Sequence, residues 1–551
     1  MATNSTRSGS KKKARAKERA TPAPEQQAPV SEGIPENVWR IGIIVIIVIA
    51  AVLRLYDLNL VPLHHDEGVN GNFLVRLVRE GAYTYDPENY HGPTLYYFSA
   101  LIPWTVKLLF GASARDNYGL TTFNIRLVPV LFGLATIGLV FILRRRLGTV
   151  TTLSAAMMLA VSPGAVYLSR YFIHESLFVF FTLGIVVASV KLYDEHNPSY
   201  LIPLAASAAL LFATKETAMI SVGVLVIALG LTLLYMRVIG KPSSAAARRR
   251  VQETSLIEEL GGAANVGFYL GAAVLVFLAL YLLFYSSFLT NNKGISDSLQ
   301  TFAVWTKTGR QAHVHSATTY LTWLIRIEAP LLFLGAIGAA IVVLKPKNSL
   351  ALFCALWAFG LIAAYSLIPY KTPWLMLNFL VPLALTAGYA IQAIYELDSG
   401  QLRLVAVIFL VAIGVATYQS IDLNFINYDN DDEKYVYVYA HSTREMLDLV
   451  RQVEQIANEN TGRTTGISIV SPDYWPLPWY FRNFTRVGYY GRMAPTSEPI
   501  IIANENQKEE LDRNFGEVYR QVESKSEGGS FELRPGVKLL LYVRRPGVLP
   551  Q

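Results

Sequence analysis

Apolar positions dominate the middle of the chain and thin out at both ends. Runs able to cross about 30 Å of hydrocarbon recur at 39–56, 126–143, 149–168, 175–193, 200–213, 217–237, 267–289, 327–344, 349–368, 374–394 and 402–419. The pattern therefore predicts about eleven membrane-spanning helices. A further run, 95–110, is interrupted by Pro103 and Lys107 and reads as a span or as a helix lying at the interface. The flanks, 1–36 and 425–551, read as soluble. In the last segment, strand-like runs (YVYVYA, GISIVS, PIIIA, VKLLLYVRR) alternate with helical stretches (TREMLDLVRQVEQIA, NQKEELDRNF), which predicts an α/β layer with a mainly parallel sheet.

Composition agrees with the pattern: the 551 residues are 52% hydrophobic and only 16% charged, unlike a soluble domain. The expected fold class is a polytopic α-helical membrane protein with interfacial helices and a C-terminal soluble α/β domain. Its divisions are a tail at 1–36, a membrane domain at 37–424 and the soluble domain at 425–551. The tail carries Lys11, Lys12, Lys13, Arg15, Lys17 and Arg19 among Ser, Thr, Ala and Pro; lacking apolar periodicity, it is expected to be disordered and cytosolic. No small-x-small site separates IIVIIVIAAV from Arg54, so the first apolar segment is expected to stay as an anchor. The single cysteine, Cys354, permits no intrachain disulfide.

Charge then sets the orientation. With the basic tail inside and 95–110 not spanning, Arg144 to Arg146, Arg248 to Arg250, Lys345 and Lys347 all fall inside, as short cytoplasmic loops prefer. Loops 57–125 and 290–325 and the C-terminal domain are then outside a plasma membrane. The same topology puts His64, His65, His91, His174, His313, His315 and His441 outside and only His196 inside, which favours an active outer face.

Candidate chemistry clusters there. HHDEG precedes an amphipathic helix predicted over 69–80, so Asp66 and Glu67 stand at a helix N-terminus, where the dipole favours ionised carboxylates. Either a solvated acidic loop or a general base for a hydroxyl fits. YHGPTLYY, with Tyr90, His91 and Tyr96, reads as an interfacial aromatic belt or as faces for sugar rings. Arg126, Arg170, Lys215, Arg326 and Lys371 stand at outer span ends. Each could snorkel, yet a ring of cations at one depth suits a lipid phosphate. His174 and Glu175 either cap the next span or orient an acceptor or a metal. The HVH triplet at 313–315 could offer two imidazoles to a divalent ion. SPDYWPLPWYFRNF, at 471–484, reads as packing or docking, or as contact with a sugar.

Several of these segments together resemble one family. LRLYDLNLVPLHHDEG, YHGPTLYY, NIRLVPVLFGLATIGLVFILRRRLG and the SP of AVSPGAVYLSRYFIHES are similar to the N-terminal half of the protein O-mannosyltransferase and aminoarabinose-transferase group. These are C-type-fold glycosyltransferases using polyprenyl-phosphate sugars. IPYKTPWLMLNFLVPLAL, with Trp374, resembles that group's Lys-x-Pro-Trp element. YVYVYA and PLPWYFR are similar to the prokaryotic subfamily called flippase-activity-associated. The resemblance implies Asp66 as catalytic base, Glu67 as its neighbour, and Arg126, Arg170 and Lys371 near the donor phosphate. His64 and His65 before the acidic pair depart from the pattern, as does the α/β tail.

The expected function is therefore an inverting membrane glycosyltransferase. It would move a sugar from a polyprenyl-phosphate donor to a protein, lipid or glycan acceptor on the outer face. Lys215 is a further phosphate ligand, and His65, Tyr90, His91, Tyr96, His174, Glu175 and Trp374 are candidate substrate contacts. Membrane lipids are expected partners and nucleic acid is not; the sequence points to no definite cofactor, a divalent ion being the one candidate. The alternatives are a carrier-lipid flippase or an accessory protein of a glycosylation pathway.

Overall fold

The computed structural model describes residues 34–87, 91–239, 256–311, 313–396, 402–524 and 529–547; nearly all of the basic tail lies outside them. Among the described residues, eight helices are long and apolar enough to cross a membrane. They are Glu36–Leu55, Thr122–Ile142, Glu175–Glu195, Ala218–Ile239, Ala263–Tyr285, Ser349–Leu367, Pro373–Tyr395 and Leu404–Ile426. Two more candidate spans are bent pairs: Thr149–Val161 with Pro163–Ser169, at 61°, and Thr319–Ile327 with Ala329–Leu344, at 112°. The run at 200–213 forms the shorter apolar helix Pro198–Phe212.

The bends fall at Pro163 and just before Pro330, residues that cannot continue a hydrogen-bonded ladder. The two breaks are tied together. Glu328, fully buried, accepts from the Ser162 hydroxyl at 2.9 Å and from the Gly164 N–H at 2.8 Å. A carboxylate thus satisfies groups exposed by one break from inside the other, as irregular backbone in hydrocarbon requires.

Contacts sort the loops into two ends. At one, Arg144 reaches Glu36 at 2.8 Å, Arg146 pairs with Asp194, and Asn348 donates to the Arg146 carbonyl at 2.6 Å. At the other lie 56–66, 91–93, 170–175, 213–217, 313–328 and 365–374, together with the C-terminal domain. The helix Thr94–Phe110 starts and finishes at this second end. Gly92 N–H donates to Thr214 at 3.0 Å, and Asp116 beyond the helix pairs with Arg79 at 2.9 Å. The loop at 290–325 carries an amphipathic helix, Lys293–Gln311.

The C-terminal domain holds a sheet of strands β1 (Ile467–Ile469), β2 (Val487–Tyr489), β3 (Ile500–Asn504), β4 (Tyr519–Val522), β5 (Phe531–Arg534) and β6 (Val537–Arg544). The order is β2-β1-β3-β6-β4, with β5 also paired to β6. Alternation along β3 supplies both faces. Ile500 and Ile502 pack beneath helix Arg444–Glu459, while Ile501 and Ala503 pack with Leu511 of helix Lys508–Phe515.

Two expectations are corrected. The sheet is mixed: β1 runs parallel to β2 and β3, but β3, β4 and β5 are antiparallel to β6. The tight connection Pro535-Gly536, with Gly536 at φ 77°, forces β5 and β6 into a hairpin. YVYVYA is not a strand; Tyr435 to Val438 are all buried in the main core of the bundle, so the run does not alternate between a core and a solvent face.

Helices approach closely at Gly338, where a Cβ would collide with the Thr386 carbonyl. Small residues let neighbouring backbones meet in this way. We expect Gly338→Ala to destabilise the bundle by about 1–3 kcal/mol. Gly223→Ala, with nothing within 4 Å of the added carbon, should leave the melting temperature of the detergent-purified protein unchanged or raised.

Candidate active site

HHDEG opens the helix His65–Glu80, with His64 as its N-cap. His64 Nδ1 accepts from the Asp66 N–H at 3.1 Å, and Glu67 accepts from the His64 N–H at 3.1 Å, a reciprocal cap. Nε2 of His64 donates to the Tyr439 carbonyl at 3.0 Å. Two adjacent carboxylates are thereby given different surroundings.

Glu67 is fully buried and bidentate to Arg126, Nε to Oε1 at 2.7 Å and Nη2 to Oε2 at 2.6 Å. It also accepts from the Phe172 N–H at 2.8 Å. Arg126 gives its remaining N–H groups to the carbonyls of Leu58 at 2.7 Å, Val61 at 2.9 Å and Pro62 at 3.4 Å. All five guanidinium donors are used. This corrects two expectations: Glu67 has no free lone pair aimed at a substrate, and Arg126 has no donor left for a phosphate. Together they clamp the loop preceding the helix.

Asp66 differs. Its side chain is 25% exposed, its contact with His64 Nδ1 is 4.0 Å, and among the described residues its carboxylate accepts no hydrogen bond. It acts electrostatically on His65, His313 and Tyr370. Burial holds the His65 imidazole below the ordinary histidine range, against the pull of Asp66. Burial and Asp66 both push the Tyr370 phenol up.

The other expected phosphate ligands are also engaged. Arg170 caps the first span, donating to the carbonyls of Leu53 at 3.3 Å, Arg54 at 3.2 Å, Tyr56 at 2.6 Å and Asp57 at 2.8 Å. Lys371 caps helix Ser349–Leu367 through the carbonyls of Ser366 at 3.1 Å and Ile368 at 2.5 Å. The ring of cations read from the sequence is, for these two, a set of caps on helix ends. Arg326 pairs with Glu433 at 2.8 Å. Lys215 is paired with Glu175, both buried.

Around Lys215 a second polar group assembles. His91 Nδ1 lies 2.9 Å from Glu216, and the His91 and His174 rings are 5.3 Å apart. Burial works to raise the Glu216 carboxyl, but His91 and Lys215 draw it down to about 2. His174 is buried, with Nε2 2.9 Å from the Gly92 carbonyl, and burial depresses its pKa. Gly92 packs so tightly on the Ala213 carbonyl that a Cβ has no room, which locks the HGPT loop onto Thr214-Lys215. Tyr96 is buried and donates to Asn70 at 2.9 Å. Tyr96, His174 and Glu175, expected as substrate contacts, are therefore interior supports, and Tyr90 lies outside the described residues. Tyr370 is within electrostatic reach of Asp66, Glu216 and Glu175, and its ring lies 5.4 Å from that of His313.

Half-buried aromatic rings line the same end. Trp374 is 6.2 Å from His64 and 6.1 Å from Tyr439. His313 Nδ1 is 2.9 Å from the Tyr439 hydroxyl, whereas His315 packs on Trp323 at 5.6 Å. The triplet thus sends its imidazoles to different neighbours, and no cluster of three metal-ligating side chains occurs among the described residues. Glu216, Tyr370 and Tyr439 were not singled out from sequence. The first two were visible only as neighbours of Lys215 and Lys371.

The C-terminal domain docks directly on this helix. A Cβ at Gly68 would come 2.7 Å from the Pro476 Cα, and one at Gly71 2.7 Å from the Trp479 ring. The Tyr480 hydroxyl accepts from Leu63 N–H at 2.9 Å, and Arg482 donates to the Leu120 carbonyl at 2.7 Å. The PLPWYFR element is a docking wedge.

The pattern of the family described as dolichyl-phosphate-mannose-protein mannosyltransferase matches residues 100–243. In structure the chain is similar to ArnT from Cupriavidus metallidurans bound to undecaprenyl phosphate, at 14% identity and TM-score 0.59, covering 92% of this chain and 99% of that one. The apo form of ArnT matches at 13% identity and TM-score 0.62, covering 91% and 97%. The Archaeoglobus fulgidus oligosaccharyltransferase, tethered with an acceptor peptide, matches at 14% and 0.50, covering 82% of this chain and 64% of that one. No curated protein matches. The likeness establishes the fold class: a polytopic C-type glycosyltransferase fold with a C-terminal α/β domain.

Breaking the buried pair from either side strands a charge. Glu67→Gln and Arg126→Ala should each cost about 3–5 kcal/mol, read as a lower melting temperature and poor yield. Asp66→Asn should melt as the wild type does.

Proposed function

We propose that the protein is an integral-membrane glycosyltransferase taking a sugar from a polyprenyl-phosphate donor and delivering it to an acceptor hydroxyl. The observation that carries this reading is the split between adjacent carboxylates: Glu67 is wholly bonded and buried, while Asp66 is unbonded at the rim of an aromatic-lined face. A carboxylate so placed is suited to accept a proton from an approaching hydroxyl. The acceptor oxygen attacks the anomeric carbon, the bond to the carrier phosphate breaks, the phosphate leaves with the electron pair, and Asp66 takes the proton. A single displacement inverts the anomeric centre.

The leaving phosphate needs positive potential. Arg54, Arg170 and Lys371 supply it without touching it. Arg54, buried in the first span, donates to the carbonyls of Leu159 and Ala160 at 2.9 Å, and none of the three has a carboxylate ion-pair partner among the described residues. Carbonyl dipoles satisfy their hydrogen bonds but leave their charge uncancelled. Lys215 and His91 are the groups proposed to meet the phosphate directly, with Glu216 and Glu175 holding them. The reacting end faces away from the cytoplasm, with the N-terminus inside, on the distribution of Arg and Lys in the loops.

Asp66→Asn should lower sugar transfer from a labelled polyprenyl-phosphate donor by about 10²- to 10⁴-fold, with product of inverted configuration in the wild type. Undiminished transfer would remove the proposed base. After Cys354→Ala, cysteines introduced at 65 and 370 should both react with an impermeant maleimide added outside cells, and one at 145 should not.

A further inference from the structure

Trp475 and Tyr474 belong to the docking segment, with Trp475 beside Pro476 against Gly68, yet both are only partly covered by it. Pro476, Leu477, Trp479 and Phe481 are buried there, whereas Tyr474 and Trp475 stay half-buried. Their rings continue a line that starts beside the proposed base. From His65, next to Asp66, the centroid steps are 6.1 Å to Trp475, 5.6 Å on to Tyr474 and 5.2 Å on to Tyr489. Tyr489 ends the edge strand β2 and is 36% exposed. Beyond it Tyr490, 49% exposed, folds back over Gly488, where a Cβ would lie 2.6 Å from its ring. Beside the line, Arg534 holds Asp473 at 2.5 Å, and both act electrostatically on His65.

Successive aromatic faces flanked by a fixed donor and acceptor suit a chain of pyranose rings. The rings present apolar faces for stacking and hydroxyl edges for the ion pair. A peptide strand would instead pair with the open edge of β2 and bypass these ring faces, and the binding experiment below separates the two. We infer that the acceptor is a carbohydrate chain lying along His65, Trp475, Tyr474 and Tyr489, its terminal hydroxyl at Asp66. The inference rests on the proposed transfer reaction for its meaning, but binding can be measured without turnover.

Full-length protein in detergent is titrated with mannose-, glucose-, galactose- and arabinose-based tetrasaccharides and with a Ser/Thr-rich decapeptide, following tryptophan fluorescence. At least one tetrasaccharide should bind, and Tyr489→Ala and Tyr474→Ala should each weaken it about tenfold, with Tyr474→Phe restoring affinity. Binding of the peptide alone, of no tetrasaccharide, or of tetrasaccharides equally by wild type and the alanine variants overturns the inference. Donor turnover measured in parallel keeps the two readings apart. Turnover without oligosaccharide binding sinks this inference only, and binding without turnover sinks only the proposed reaction.

Discussion

A helix that ends in a membrane protein leaves its last carbonyl oxygens without backbone partners, and at three helix ends this chain meets that constraint with cations. Arg170 covers the end of the first span, Arg54 the end of Thr149–Val161, and Lys371 the end of Ser349–Leu367. Neutral donors could close the same bonds, but long cationic side chains reach several carbonyls at once. One residue type therefore does two things: it permits spans to stop and bend near one surface, and it leaves net positive charge just beneath that surface. Under the proposed reaction, a lipid-linked phosphate would meet a field created by the requirements of the fold.

The same economy separates Asp66 from Glu67. Placing both at a helix N-terminus would give two similar carboxylates; the Arg126 guanidinium, two backbone N–H groups and complete burial turn one of them into a fastener. The fastener fixes the loop at Leu58 to Pro62 and the first turn of the helix, so the other carboxylate is presented at a defined position. Positioning of this kind matters because catalysis depends on geometry at the sub-ångström scale.

Long apolar runs were legible because hydrocarbon demands them, and the bent pair Thr149–Val161 with Pro163–Ser169 registers as one segment. The short helix Thr319–Ile327 instead reads as loop, because the 112° bend separates it from the apolar run. The helix start at HHDEG was legible too, since acidic residues before an amphipathic stretch are an N-terminal signal. The partners of individual charges were not. Arg126 and Lys371 look alike as cations at span ends, yet Arg126 is consumed by groups up to 68 positions away, whereas Lys371 turns back onto carbonyls of the helix just before it. YVYVYA misled for a related reason: alternation of tyrosine and valine signals a strand only where one face is solvated, and here Tyr435 to Val438 are all buried. Gly68 and Gly71 could be read as helix weakeners; their use becomes visible only with Pro476 and Trp479 lying against them.

That contact changes what the soluble domain is. A domain tethered only by chain connectivity could be removed without moving Asp66, but the helix that starts at His65 is pressed between the membrane bundle on one side and the Pro476 to Trp479 wedge on the other. Gly68 lies one turn or less from Asp66, so a shift of the wedge is transmitted to the carboxylate through backbone contact rather than through a flexible side chain. His64 adds a second link, since its imidazole bridges the Asp66 N–H and the Tyr439 carbonyl. The α/β domain is thus part of the scaffold of the site, and its sheet edge is carried at a fixed distance from the carboxylate it helps to hold.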